Sequence, residues 1–156
     1  MGADIHVKIL ERDNNTWKQV TLYHKEKEEF KIVNVYPFRN YELFDILNGE
    51  EDNNYIAYPI REDSLPVALK KEIEGYKNTV GYYGFKEINL ADLKLYLYRS
   101  PKIRDYDYEE NSPNAWKTNP VKYFIEKIEQ YINFASQYGE FVSPPSDIRI
   151  IYWFDC

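Results

Sequence analysis

Residues 4–11 alternate apolar Ile5, Val7 and Ile9 with polar Asp4, His6 and Lys8, the period-two pattern of a strand with one face in a core. Asp13-Asn14-Asn15 supplies residues that tolerate positive φ before the chain resumes at WKQVTLYHK, residues 17–25, so a β-hairpin is predicted. KEKEE, residues 25–29, reads as a solvated turn or edge. FKIVNVYPF, residues 30–38, reads as a third extended segment that ends at Pro37.

The period then changes. Tyr41, Leu43, Phe44 and Leu47 fall near helical spacing, with Asn40 placed to cap the start and Gly49 the end, which predicts a short helix over 41–48. Ser64 and Pro66 stand where the cap and first turn of the next helix belong, ahead of VALKKEIEG. GYYGF, residues 81–85, is a glycine-flanked turn or short strand. Asn89 and Asp92 form a cap and N3 acid before LADLKLYLYR. Residues 100–119 lack periodicity and read as a long irregular loop. The strongest helical pattern follows, with Asn119 as cap, Pro120 at the first position, apolar Val121, Phe124, Ile125, Ile128 and Ile132, and Gly139 as the stop.

DIRIIYWFDC closes the sequence with a run that is apolar on both faces, as an interior strand covered on two sides would be. The order of elements predicts one α+β domain over residues 1–156: a small, mainly antiparallel sheet with the N- and C-terminal strands central, packed by three to four helices. If those two strands lie antiparallel, Asp4 and His6 come close to Trp153 and Asp155.

Composition narrows the function classes. A net charge of −6 argues against a broad phosphate-binding surface, and so against a long nucleic acid as partner. It suits solubility, a basic protein surface, or a small nucleotide in a local pocket. No apolar run approaches the ~18 residues of a membrane span, and no secretory signal is recognisable. The single cysteine, Cys156, leaves no intramolecular disulfide or cysteine-rich metal site, which fits a reducing cytoplasm. Tyrosine is the outlier: 16 Tyr, with 3 Trp and 8 Phe, bring aromatics to 17%. Such rings suit interfaces and planar ligands, although an AT-rich coding sequence favours tyrosine too.

Asp4 and His6 project to one side of their strand, and Asp155 extends them to a two-carboxylate, one-imidazole cluster of the kind that binds a divalent cation or performs acid–base work. The plainer reading is a polar strand face with a charge pair. No P-loop, G-x-G-x-x-G, H-E-x-x-H, G-x-S-x-G or C-x-x-C motif is present, so an enzyme reading rests on these carboxylates alone, and no cofactor is implied. Arg39, followed by Asn40 and Tyr41 at a helix start, forms a second cluster suited to an anion. Tyr82, Tyr83, Tyr41 and Trp116 are the candidates for stacking a planar ligand.

MGADIH, RNYELFDIL, PIREDSLP and DIRIIYWFD resemble, in that order, an uncharacterised family encoded by bacteriophages and prophages. Its members open Met-Gly-Cys-Asp-Ile-His and end in an apolar strand closing on Phe-Asp-Asn. Ala3 and Cys156 depart from those motifs, and GYYGF stands where many relatives carry a His-Ser-His-like segment. Any metal site built on those histidines has lost ligands here. Asp4, His6, Arg39, Asn40, Tyr41 and Asp155 match. The resemblance implies a phage product in the cytoplasm of an infected bacterial host that counteracts a defence system, by inhibiting a host defence protein or by sequestering a small signalling nucleotide. A metal-assisted hydrolase or phosphodiesterase using Asp4, His6 and Asp155 is the alternative, and a phage structural or assembly factor a third. Homo-oligomerisation is left open.

Overall fold

The computed structural model describes residues 2–104, 119–136 and 143–156, with the backbone alone at Lys102 and Arg104. Asp4–Asp13 forms β1 and Thr16–Val20 β2, joined by a tight turn in which Asn14 takes a φ of 57°. Tyr23–Glu26 (β3) and Glu29–Ile32 (β4) follow, then Tyr41–Leu47 (α1), Val67–Lys77 (α2), Tyr82–Asn89 (β5), Leu90–Arg99 (α3), the single turn Pro101–Arg104 (α4), Pro120–Ser136 (α5) and Ile148–Asp155 (β6).

The main sheet runs β2-β1-β6-β5 and every pairing in it is antiparallel. The first and last strands are therefore its two central members, as their patterns predict. Asp4 pairs with Asp155, His6 with Trp153 and Leu10 with Arg149. Alternation along β1 sends Ile5, Val7 and Ile9 to one side, where they join Ile148, Ile150, Tyr152 and Phe154 of β6 under α1, α3 and α5 in the larger core. The opposite side is covered by α2, whose Leu69 and Ile73 pack on Leu10, Ile151 and Trp153. Seven of the eight β6 residues are buried because both faces are roofed.

Three helix starts follow the sequence reading. Asn40 accepts the Leu43 amide, Asn89 the Asp92 amide, and Asn119 the amides of Val121 and Lys122 with Pro120 at the first position. Gly139, the expected stop, lies outside the described residues. Ser64 is a correction. It sits in a 3-10 turn, Glu62–Ser64, and makes no cap to α2; its hydroxyl accepts from Arg149 instead.

The strand expectation for 17–25 also changes. The segment breaks after Val20, and β3 turns away to pair with β4 as a separate hairpin through Lys27 and Glu28, both at positive φ. Of the expected third segment only residues 30–32 lie in a strand, and all eight residues of the β3–β4 pair are exposed. GYYGF opens β5, an edge strand eight residues long. Its register with β6 shifts between Tyr83 and Lys86. Gly84 sits in that irregularity at φ 69°, where a Cβ would approach Phe154 Cδ2 to 2.8 Å. The expected irregular loop begins with the turn α4; residues 105–118 lie outside the described residues.

On the α2 side a buried ion network crosses the sheet. Arg149, 1% exposed, donates from Nη2 to Glu87 Oε2 at 2.6 Å and from Nη1 to Ser64 Oγ at 2.9 Å. Arg61 reaches the same carboxylate twice, from its backbone amide at 3.0 Å and from Nε at 2.8 Å. Burial alone would raise the Glu87 carboxyl's pKa; the hydrogen bonds from Arg149 and Arg61 outweigh it and hold the group below its ordinary value. The Arg149 guanidinium also lies 4.9 Å from the Trp17 ring centroid.

Candidate functional site

The antiparallel register of β1 and β6 brings the two termini of the described fold to one end of the sheet. Asp4 and His6 project from β1 beside Asp155 of β6, because directly opposed residues share a face. His6 Nε2 and Asp155 Oδ2 are 2.5 Å apart, with both side chains about a quarter to a third exposed at 32% and 26%. Asp4 turns instead to Arg39, accepting from Nε at 2.7 Å and from Nη2 at 3.3 Å. Those hydrogen bonds hold the Asp4 carboxyl below its usual value and raise that of the Arg39 guanidinium.

Gly2 explains part of this arrangement. A Cβ there would come within 2.2 Å of Arg39 Nη1 and 3.2 Å of the Tyr41 hydroxyl. Glycine thus leaves the room that the guanidinium and phenol occupy together. Asn40 between them is spent on capping α1. Tyr41 packs its ring edge against Phe44 and keeps 50% of its surface exposed.

An aromatic wall stands behind His6. Its ring stacks on Trp153 at 5.5 Å with an interplanar angle of 10°, and on Tyr76 at 5.9 Å. Tyr82 lies 4.6 Å from Tyr76 and 5.9 Å from His6. Tyr83, the next residue of β5, faces the other side of the sheet, stacked on Phe154 and 43% exposed. Burial raises the pKa of the Tyr76 and Tyr83 hydroxyls, which keeps them protonated as donors. The buried Trp153 Nε1 has no hydrogen-bond partner among the described residues.

Eight of the nine residues expected from the sequence can therefore be placed. Asp4, His6, Asp155, Arg39, Tyr41, Tyr82 and Tyr83 gather at this end of the sheet, Tyr83 across it from the imidazole, while Asn40 serves the helix. Trp116 lies outside the described residues. Asp4, His6 and Asp155 are neighbours, but they resolve into two pairs: Asp4 gives both oxygens to Arg39, and Asp155 gives one to His6. Among the described residues no group of three or more His, Cys, Asp or Glu side chains is arranged to hold a metal ion. The donor set of this corner thus favours an acid–base pair beside an arginine over a three-ligand metal centre.

Tyr76 and Trp153 belong to the site by their contacts with His6, although the sequence does not mark them as such. Strand pairing brings Trp153 near His6 but within an apolar run, and Tyr76 directly follows the helical stretch VALKKEIEG with no signal of its own. Comparison with protein-family models, with curated proteins and with solved structures gives no match. Among the described residues no helix is long and apolar enough to cross a membrane.

Proposed function

We propose that this chain is a phage-encoded binding protein that counteracts a bacterial defence system, and that it does so by sequestering a small signalling nucleotide at the end of the sheet. The observation that carries this reading is the convergence of Asp4, His6, Arg39, Tyr41, Tyr82 and Asp155, with the His6–Asp155 bond joining positions 149 residues apart. All of these but Tyr82 are residues on which the resemblance to the phage family rests; Tyr41 is half exposed and Tyr82 is partly buried. Arg39 and Asp4 are 55% and 51% exposed, so their pair is weakly held and a phosphate can replace the carboxylate on the guanidinium fork. Tyr41 supplies an accessible ring beside it. Each stacked base contributes ~1–3 kcal/mol. Two such contacts with one charge-assisted pair are compatible with micromolar affinity, about −8 kcal/mol, without a basic groove.

The His6–Asp155 pair favours a second reading at the same place. A carboxylate that orients an imidazole is the arrangement of a general base, and a nucleotide held by Arg39 would lie next to it. In that case the ligand is hydrolysed rather than stored.

One experiment separates them. The purified protein is mixed with cyclic di- and trinucleotides and ADP-ribose derivatives, binding is measured by calorimetry, and the bound species is analysed after heat release. Intact nucleotide, with binding lost in Arg39→Ala, supports sequestration. An altered product, absent in His6→Ala, supports hydrolysis. Absence of binding to the whole panel, with rescue of phage growth on defended hosts retained, leaves direct inhibition of a defence protein.

A further inference from the structure

A second concavity lies at the far end of the α2 side, away from His6. It is a cleft of about 580 Å³ between the Tyr58–Arg61 segment and the junction of β5 with α3, within the range of small-molecule sites. Its walls are largely apolar, from Pro59, Ile60 and Ile88, with the Tyr58 ring 55% exposed at the rim. An adjoining hollow of about 300 Å³ shares Tyr58, Ile88 and Asp92 with it.

Arg61 gives one wall of the cleft its charge. The side chain is 68% exposed, yet it is not free to wander. Its Nε donates to Glu87 at 2.8 Å, its backbone amide to the same carboxylate at 3.0 Å, and its carbonyl accepts from Arg149 at 3.3 Å. An exposed arginine that only served solubility would need no such clamp. Two guanidinium groups share the single Glu87 carboxylate, so this wall is locally positive, while Asp92 on the other side makes the cleft as a whole neutral and dipolar. The terminal nitrogens of Arg61 make no hydrogen bond among the described residues, which leaves the half of the fork that recognises an anion unspent. On the opposite lip Asp92 offers an acceptor, held by Asn89 Nδ2 at 3.0 Å.

We infer that this cleft is a ligand site for a small molecule that joins an anionic group, a planar ring and a hydrogen-bond donor, with the anion on Arg61, the ring on Tyr58 and the donor toward Asp92. That is the shared chemistry of a nucleoside monophosphate and of an aromatic amino acid. Glu87 and Arg149 act as positioning residues: they touch Arg61, not the ligand, and fix its fork before anything binds. The inference is independent of the reading proposed for the His6 end of the sheet.

The test titrates the full chain with AMP and, separately, with L-tryptophan, using adenosine and inorganic phosphate as dissected probes and following backbone amide NMR shifts. Saturable shifts at residues 58–61 and 87–92 are expected from one of the two full probes, with adenosine and phosphate each weaker. Arg61→Ala should weaken the productive probe about tenfold or more, Arg61→Lys nearly as much because the fork is lost, and Tyr58→Ala about fivefold or more. AMP as the productive probe assigns a phosphate ligand; L-tryptophan assigns an amino acid. If Arg61→Ala loses its cooperative thermal transition, Tyr58→Ala decides, since that ring is half exposed. Absence of saturation by both full probes up to about 10 mM overturns the inference. So do shifts confined to residues 2–6 and 82–83, or affinity unchanged in the variants.

Discussion

The two ends of the α2 side each hold an arginine against a carboxylate, and they use the same bond for opposite purposes. At one end Arg149 and Glu87 are 1% and 4% exposed in their side chains, and the pair is enclosed by Ser64, Arg61 and Trp17. At the other, Arg39 and Asp4 are more than half exposed and 2.7 Å apart. Removing water makes the first pair costly to break, because Arg149 without Glu87 would be a buried charge hydrogen-bonded only to the Ser64 hydroxyl and the Arg61 carbonyl. Leaving water in place makes the second exchangeable. Buried pairing therefore fixes geometry in this molecule, whereas exposed pairing keeps a guanidinium presentable until a better anion arrives.

The severest way to break the contrast removes both ends together, since β6 supplies Arg149 to one and Asp155 to the other. Deleting residues 147–156 is expected to abolish the cooperative thermal transition. A truncated chain that still melts cooperatively would show β6 to be peripheral. Next comes Glu87→Ala, which strands Arg149 in the core and should cost ~3–5 kcal/mol in urea denaturation. Asp4→Asn, assayed beside it, should leave the midpoint nearly unchanged. Equal losses in the two variants would erase the distinction.

The third prediction uses pH. Both Glu87 and Asp4 have depressed carboxyl pKa values in the fold. Each thus adds stability above its unfolded pKa and loses it as pH falls through the lower folded value. Stability should drop between about pH 5 and pH 3, mostly through Glu87, because Asp4 is screened by solvent. Glu87→Gln should flatten that slope, and Asp4→Asn should hardly alter it. The smallest effect concerns Gly2. Gly2→Val should push Arg39 from Asp4 without measurable loss of stability, and weaken any anion bound at that end severalfold. Unchanged anion affinity would remove Gly2 and its neighbour from the site.

Much of the frame was legible in the sequence because it rests on periodicity. The alternation of β1, the doubly apolar run of β6 and the caps at Asn40, Asn89 and Asn119 all state a local requirement that the fold then meets. The division of residues 17–25 between two hairpins was not legible, since residues on both sides of the break have strand character and only tertiary pairing chooses a partner. The His6–Asp155 contact could be anticipated from strand pairing at opposite ends of the sequence. The role of Asp4 could not, because its partner Arg39 comes from the start of a helix whose position no local pattern fixes. The Glu87 network left one clue. Arg149 is the only charge within the apolar stretch IRIIYWF, and a charge on a strand roofed on both sides demands a buried partner. Nothing in the sequence says that the partner lies 62 positions earlier.

The position of β6 between β1 and β5 also governs the order in which the molecule can be made. Each of the other described strands leaves the ribosome before it, yet β1 and β5 are joined only through it in the main sheet. Until β6 has been synthesised, the N-terminal hairpin and the β5–α3 unit have no common strand on which to dock. Closure of the sheet is thus deferred until β6 has emerged and depends on contacts of very long sequence separation, which slow folding relative to a chain of local contacts. During that interval the apolar faces of β1 and β5 are exposed to chaperones and proteases. The yield of folded protein should therefore respond strongly to how quickly β6 follows the strands it joins.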